Sequence, residues 1–207
     1  MVSGAAQWDA AYSARAPETL PWADPGASET LPDVLAALAP GDPVLDAGGG
    51  ASPLAAELLA RGLGPVTVLD LSPTALDRAR AALGDRAADV TWIAADLRRW
   101  TPDREYALWH DRAVFHFLAT DADRAAYVTT LAAALRPGGQ AVIATFAPDG
   151  PETCSGLPVT RYAPEDLAAT LERHRPGSFA PLAARRVIHT TPAGRAQSFQ
   201  VSTFRRL

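Results

Sequence analysis

Three consecutive glycines separate a short apolar segment from the start of a helix, and this feature constrains the fold most strongly. Val44-Leu45 has the character of a buried parallel strand, and Gly48-Gly49-Gly50 follows after two intervening residues. Glycine lets the backbone turn tightly and approach a ligand closely. Ser52-Pro53 then has the form of a helix cap with proline at the first helical position. The sequence therefore predicts a strand, a turn and a helix, with a ligand on the turn.

The residues around the glycines favour one ligand class over another. The dinucleotide fingerprint has a third Gly or Ala where this chain has Pro53, and it places a pyrophosphate on the helix N-terminus. The carboxylate of Asp46 would repel a pyrophosphate but suits a ligand that presents an ammonium group. S-adenosylmethionine (SAM) has an ammonium group and no phosphate. A plain strand-to-helix turn made of small residues is the alternative interpretation.

The segment Asp46-Ala47-Gly48-Gly49-Gly50 resembles the first motif of the class I SAM-dependent methyltransferases, which reads acid, any residue, Gly, any residue, Gly. Two further acids, Asp70 and Asp96, follow the next two predicted strands. The resemblance implies that Asp70, with its neighbour Leu71, binds the ribose, although an NAD enzyme would place an acid similarly. It also implies that Asp96 accepts from the adenine amino group and that Leu97 packs against the ring.

A dense group of titratable residues follows the fourth predicted strand, Tyr106 to Trp109. The segment from His110 to Leu118 contains Asp111, Arg112 and His116, and in the resembled family this region lines the reaction centre. His110 is therefore assigned to both the cofactor site and the catalytic group, and Asp111 or His116 could receive a proton from a hydroxyl or amine acceptor. In the alternative interpretation, Asp111 pairs with Arg112 and His116 is a half-buried structural histidine.

The ends of the chain are predicted to cover the site. A helix over residues 5 to 14 places Trp8 and Tyr12 on one face, either as a lid on the cofactor or as cover for the sheet edge. A proline-rich connector carrying Trp22 follows, and we expect residues 5 to 26 to fold over the ligand. The loop that holds Cys154 is expected to form a wall on the acceptor side, with no support for a nucleophilic cysteine.

The resemblance covers the whole chain and implies one domain with a doubly wound, mostly parallel seven-stranded α/β sheet, helices on both faces and a C-terminal antiparallel hairpin. Within it, residues 1–40 would form the N-terminal lid or cap helices, 41–146 the cofactor-binding core, and 147–207 the substrate-side loop, last helix and closing hairpin. Such a sheet carries its ligands at the carboxyl ends of the strands.

The composition of the chain limits the classes of partner that it is expected to bind. The 207 residues carry a net charge of −4, which argues against nucleic acid, and no apolar tract is long enough to span a membrane. The single cysteine excludes an internal disulfide and an all-cysteine metal site, and no metal is expected. All nineteen basic residues are arginine, so a catalytic lysine is excluded. Arginine pairs such as Arg98-Arg99 are interpreted as solvated surface, and the absence of a signal-like N-terminus predicts a cytoplasmic protein.

The resemblance implies methyl transfer from SAM to an oxygen, nitrogen or sulfur atom of a small molecule by in-line displacement. A protein lysine methyltransferase is one alternative, because Trp8, Tyr12 and the Asp111-Arg112 pair have counterparts in one such group. A SAM-binding regulator without turnover is another, and an NAD-dependent oxidoreductase is the remaining contender. The sequence leaves the acceptor and the oligomeric state open.

Overall fold

A seven-stranded sheet forms the centre of the computed structural model, which describes residues 4–14, 20 and 28–207. The predicted connector with Trp22 lies outside the described residues. The strands are β1 (Val44–Ala47), β2 (Val66–Asp70), β3 (Val90–Ala94), β4 (Tyr106–Arg112), β5 (Leu135–Phe146), β6 (Thr153–Cys154), β7 (Leu157–Pro158), β8 (Phe179–Thr190) and β9 (Ala196–Arg206). The α-helices are α1 (Ala5–Ala14), α2 (Leu31–Ala37), α3 (Leu54–Ala60), α4 (Pro73–Leu83), α5 (Asp121–Ala134) and α6 (Pro164–His174).

The strand order is β3-β2-β1-β4-β5-β9-β8, and β6 and β7 form a separate two-stranded ribbon. Strands β1 to β5 pair in parallel, whereas β9 pairs antiparallel with both β5 and β8. This topology confirms the predicted doubly wound sheet with its antiparallel C-terminal pair. The strand order reverses between β1 and β4, which is where open α/β sheets bind their ligands.

The apolar core lies on both faces of the sheet. Val44 and Leu108 pack into one cluster, while the next residues, Leu45 and Trp109, pack into another. Successive side chains of a strand point to opposite faces, so helices on both faces are needed to cover these two sets. That requirement explains why the successive residues Val44 and Leu45 of β1 are both apolar and buried.

Several boundaries differ from the sequence prediction. Strand β4 continues to Arg112 instead of ending at Trp109. Strand β5 begins at Leu135, although Arg136-Pro137-Gly138-Gly139 is a sequence typical of a turn. Strands β8 and β9 span 12 and 11 residues and extend beyond the segments 187–190 and 199–204, whose sequence is typical of a strand. Most residues of β8 are exposed because it is the edge strand, so its Ala- and Arg-rich segment lacks the apolar alternation that marks a half-buried strand.

The helix after the glycine turn begins one residue later than predicted. Pro53 is its N-cap and Leu54 its first residue. The Ser52 hydroxyl still accepts a hydrogen bond from the Leu54 N–H, at 3.2 Å. None of the helices in the described part of the chain is long and apolar enough to cross a membrane.

Candidate active site

A cavity of about 370 Å³ opens at the carboxyl ends of the strands around the switch between β1 and β4. This volume falls within the range of small-molecule sites. Ten of the residues predicted for the site line the cavity, and three, Gly50, Asp111 and His116, are not among its lining residues. The ten are Trp8, Tyr12, Asp46, Gly48, Gly49, Asp70, Leu71, Asp96, Leu97 and His110.

The glycine turn leaves no room for side chains. A Cβ atom on Gly48, whose φ is +71°, would collide with the side chain of Val114, and one on Gly49 would lie 2.5 Å from the Asp46 Oδ2 atom. Gly50, with φ +48°, packs against the Tyr12 hydroxyl. The turn therefore presents only backbone atoms, and it packs closely between the end of β1 and the side chains that cover it.

The Asp46 carboxylate has one bonded and one unbonded oxygen. Its Oδ1 atom lies 2.7 Å from the Nδ1 atom of His110. Its Oδ2 atom is buried and has no hydrogen-bond partner among the described residues. A buried acceptor without a partner is costly, and a ligand ammonium group at the turn would satisfy it. The site therefore fits the cationic amino group of SAM.

Asp70 at the end of β2 is buried beside the turn. Its Oδ1 atom accepts a hydrogen bond from the Ser72 N–H at 2.8 Å, and Ser72 itself caps α4 through the Ala75 N–H. Burial raises the pKa of Asp70 to about 6, and the negative charge of Asp46 acts in the same direction. The Asp70 carboxyl group thus lies at the cavity and is held by backbone N–H groups of the residues around it.

Asp96 forms an ion-pair network that the sequence did not predict. Arg98 contacts both Asp96 oxygens, at 2.9 and 2.6 Å, and Asp123 of α5 at 2.7 Å. The hydrogen bonds from Arg98 lower the pKa of Asp96. The expectation that Arg98 is solvated surface is wrong, because its side chain lines the cavity and orients Asp96 at the rim.

Asp111 lies away from the cavity. Because β4 continues to Arg112, alternate side chains face opposite sides of the strand, so His110 and Arg112 line the cavity and Asp111 does not. Its carboxylate accepts from the N–H groups of Val114 (2.8 Å) and Phe115 (3.1 Å) and from the Tyr127 hydroxyl (2.5 Å). It is fully buried, which raises its pKa to about 6. This position argues against proton exchange with an acceptor.

His116 is also placed away from the cavity. Its ring lies between Phe117 and Phe146, with centroid distances of 4.5 and 4.8 Å, and its Nδ1 atom accepts from the Phe146 N–H at 3.3 Å. Burial, assisted by the charge of Arg112, lowers the pKa of His116 to about 3. The ring is therefore a neutral, fully buried group, and the expected catalytic role is not supported by its position.

The loop after β4 adds residues to the site that sequence reasoning missed. Ala113 has a φ of +71°, unusual for a residue with a Cβ atom, and the following Val114 side chain covers Gly48. The hydrogen bonds from Val114 and Phe115 to Asp111 hold this loop. Asp111 thus shapes the cavity wall through the loop rather than by direct contact.

Helix α1 covers the cavity instead of the sheet edge. Trp8 packs edge-on against Phe117, with ring centroids 5.2 Å apart. Asp9 anchors the helix, because its Oδ1 atom accepts from the Ser72 hydroxyl at 2.5 Å and from the Thr74 N–H at 3.3 Å, at the start of α4. An acid at a helix N-terminus is stabilised by the exposed N–H groups there.

Arg112 and Cys154 also line the cavity. Arg112 lies 3.3 Å from Glu29 rather than pairing with Asp111 as the alternative interpretation held, and Glu29 also contacts His189 at 2.6 Å. Burial raises the pKa of the Cys154 thiol, which agrees with the expectation that it is not a nucleophile.

Comparisons with known proteins show a matching protein family and similar solved structures. Residues 44–139 match the family model described as a methyltransferase domain. No protein of curated function matches the sequence. Among solved structures, one from work on the conversion of a disulfide bond into a thioacetal group during echinomycin biosynthesis has a TM-score of 0.77 and 24% identity. The match covers 98% of this chain and 92% of that one.

Two further solved structures carry ligands. The 1,6-didemethyltoxoflavin-N1-methyltransferase of Burkholderia thailandensis, with bound 1,6-didemethyltoxoflavin and S-adenosylhomocysteine (SAH), has a TM-score of 0.65 and 26% identity, over 80% of this chain and 71% of that one. A glycopeptide N-methyltransferase complexed with SAM has a TM-score of 0.66 and 19% identity, over 91% and 98% of the two chains.

Proposed function

We propose that this chain, a member of the class I SAM-dependent methyltransferases, transfers a methyl group from SAM to a nucleophilic atom of a small molecule. The observation that carries the proposal is the buried, unbonded Oδ2 atom of Asp46 beside a glycine turn without side chains. This arrangement suits a ligand that brings a cationic amino group to the end of β1.

Each part of the cofactor would meet a separate strand end. The turn at Gly48 and Gly49, with Asp46, would hold the amino acid part. Asp70 would accept hydrogen bonds from the ribose hydroxyls, and Asp96, oriented by Arg98, would accept from the adenine amino group. When bound, SAM supplies a methyl group on a positively charged sulfur that needs no further activation.

The chain must then hold the acceptor in line and exclude water. The histidine, the cysteine and Arg112 among the described lining residues are not well placed as bases. Both ring nitrogens of His110 are hydrogen-bonded, burial raises the pKa of Cys154, and Arg112 is a cation. The acids that line the cavity are those we assign to the cofactor.

Without a base positioned to deprotonate the acceptor, the site favours an acceptor that is already nucleophilic when it binds. A weakly basic nitrogen, as in an aromatic heterocycle, is unprotonated near neutral pH, and a thiol is readily ionised. An alkyl amine such as lysine, with a pKa near 10.4, would arrive protonated. This argument disfavours the protein lysine alternative and favours a nitrogen or sulfur acceptor over an alcohol.

The lining of the cavity supports a planar, apolar acceptor. Trp8, Phe117 and Tyr127 contribute aromatic surface, and Leu118 and Val114 contribute apolar surface. The similar protein from Burkholderia thailandensis is an N1-methyltransferase crystallised with 1,6-didemethyltoxoflavin, which agrees with a nitrogen acceptor.

Transfer of labelled methyl from SAM tests the proposal. A panel at pH 7 would compare an N-heterocycle, a thiol, a phenol and a lysine peptide, with the Asp46→Asn variant as the control for cofactor-dependent transfer. We expect label in the heterocycle or the thiol. Label in the lysine peptide alone would contradict the acceptor argument, and binding of NAD in place of SAM would contradict the proposed reaction.

A further inference from the structure

Four buried polar side chains form a continuous chain from the segment before α2 to the carboxylate of the site. The Ser28 and Thr30 hydroxyl oxygens are 2.8 Å apart, Thr30 Oγ1 lies 2.8 Å from His110 Nε2, and His110 Nδ1 lies 2.7 Å from Asp46 Oδ1. All four residues are at most 3% exposed. Thr30 and His110 are eighty residues apart in sequence, so only the fold brings them together.

The chemistry of the groups gives this chain a direction. An ionised carboxylate only accepts, so His110 must carry a hydrogen on Nδ1. In a neutral ring the Nε2 atom is then an acceptor and takes the Thr30 hydroxyl hydrogen. Thr30 Oγ1 accepts in turn from the Ser28 hydroxyl, while Ser28 Oγ accepts from the Thr30 N–H at 3.4 Å. In this arrangement the hydroxyl hydrogens of Ser28 and Thr30 both have acceptors.

The Thr30 side chain does not make the helix-capping hydrogen bond that is usual at its position. It is the N-cap residue of α2, a position where a threonine hydroxyl usually accepts from the first turn of the helix. Its side chain makes no such bond and points to His110 instead. Its bond therefore serves the site rather than the helix.

We propose that Thr30 is a positioning residue for the cofactor: through His110 it fixes Asp46 so that Oδ1 is occupied and Oδ2 faces the ligand's ammonium group. This inference rests on the proposed function. Thr30 is not among the residues that line the cavity, so its effect on the ligand is indirect.

The test compares Thr30→Val, which removes the hydroxyl at nearly constant volume, with Thr30→Ser, which keeps it. Thr170→Val is the matched control, because Thr170 is also buried, its hydroxyl donates to the Asp166 carbonyl of α6, and it is not among the residues that line the cavity. Calorimetry with SAH measures affinity without turnover. Ring ¹⁵N spectra of histidine-labelled protein without ligand report which nitrogen of His110 carries the hydrogen, with assignment by His110→Gln.

We expect Thr30→Val to bind SAH about three- to tenfold more weakly, as the loss of one hydrogen bond implies, while Thr30→Ser and Thr170→Val stay within about twofold of the wild type. His110 should carry its hydrogen on Nδ1. Unchanged SAH affinity in Thr30→Val, or a neutral His110 protonated on Nε2, would overturn the positioning role. A wild-type protein that binds no SAH would instead contradict the proposed function, and the ring spectra would still report the direction of the chain.

Discussion

Replacement of Asp111 by Asn tests whether this carboxylate holds the loop after β4 or takes part in the chemistry. The carboxylate accepts from two backbone N–H groups, those of Val114 and Phe115, and from the Tyr127 hydroxyl. Asn has one acceptor oxygen and a donor NH₂ group, so at least one buried donor would face another donor. An unsatisfied buried group costs about 1–3 kcal/mol and a bond to a charged group contributes about 1.5–3 kcal/mol. Removal of the buried charge offsets part of this cost, because burial disfavours the ionised carboxylate and raises its pKa. We therefore expect a loss of about 1–2 kcal/mol in the free energy of unfolding.

Thermal and urea unfolding measure this change. For a chain of this size 1 kcal/mol corresponds to about 2–4 °C in Tm, so Tm should fall by roughly 2–8 °C. The control is Asp89→Asn, the same chemical change at an exposed acid that pairs with Arg86. That variant should stay within about 0.5 kcal/mol of the wild type.

Turnover separates the two roles. Because Asp111 does not line the cavity, turnover per folded molecule, measured well below Tm, should fall by less than about tenfold. Loss of a general base typically costs roughly 10²–10⁴-fold. Unchanged stability together with a loss of about a hundredfold or more in turnover would refute the loop-holding role and restore Asp111 as a base.

Two further predictions concern Asp70 and α1. Because burial, with Asp46 nearby, raises the pKa of Asp70 to about 6, SAH affinity should fall as the pH drops through 6, and calorimetry should show no such dependence in Asp70→Asn. Since the folded pKa lies above the unfolded value near 3.9, the contribution of Asp70 to stability is full below about pH 4 and is lost as the pH rises through 6, which urea unfolding of both proteins would show. Asp9→Ala should increase the hydrogen-exchange rate of residues 5–14, and SAH should reduce that rate less than it does in the wild type. Asp9→Asn keeps an acceptor oxygen and should change the exchange rate less than Asp9→Ala does. Equal exchange in Asp9→Ala and wild type would contradict the anchoring role.

The sequence predicts the features of this fold that depend on local order along the chain. Helices α4 and α6 begin at Pro73 and Pro164, because proline is favoured in the first turn of a helix, and this signal is local in the sequence. The placement of Asp46, Asp70 and Asp96 around one cavity follows from three parallel strands whose carboxyl ends meet at one edge of the sheet.

The errors arise where a side chain's direction depends on long-range pairing. The sequence prediction ended β4 at Trp109 and placed His110 to Arg112 after the strand. It therefore missed the strand alternation that turns Asp111 away from the cavity. The partner of His110 could not be predicted, because no local pattern links it to Thr30. Arg98 was interpreted as surface for the same reason, since Asp123, on another element, holds it at the rim.

The most direct test of the account is the affinity difference between SAH and 5′-methylthioadenosine, which lacks the amino acid part, in the wild type and in Asp46→Asn. The account predicts that the wild type binds SAH more tightly by calorimetry and that Asp46→Asn loses most of this difference while its affinity for 5′-methylthioadenosine changes little. Equal affinities of the wild type for the two ligands, or the same difference in both proteins, would contradict the claim that Asp46 at the glycine turn binds the ammonium group.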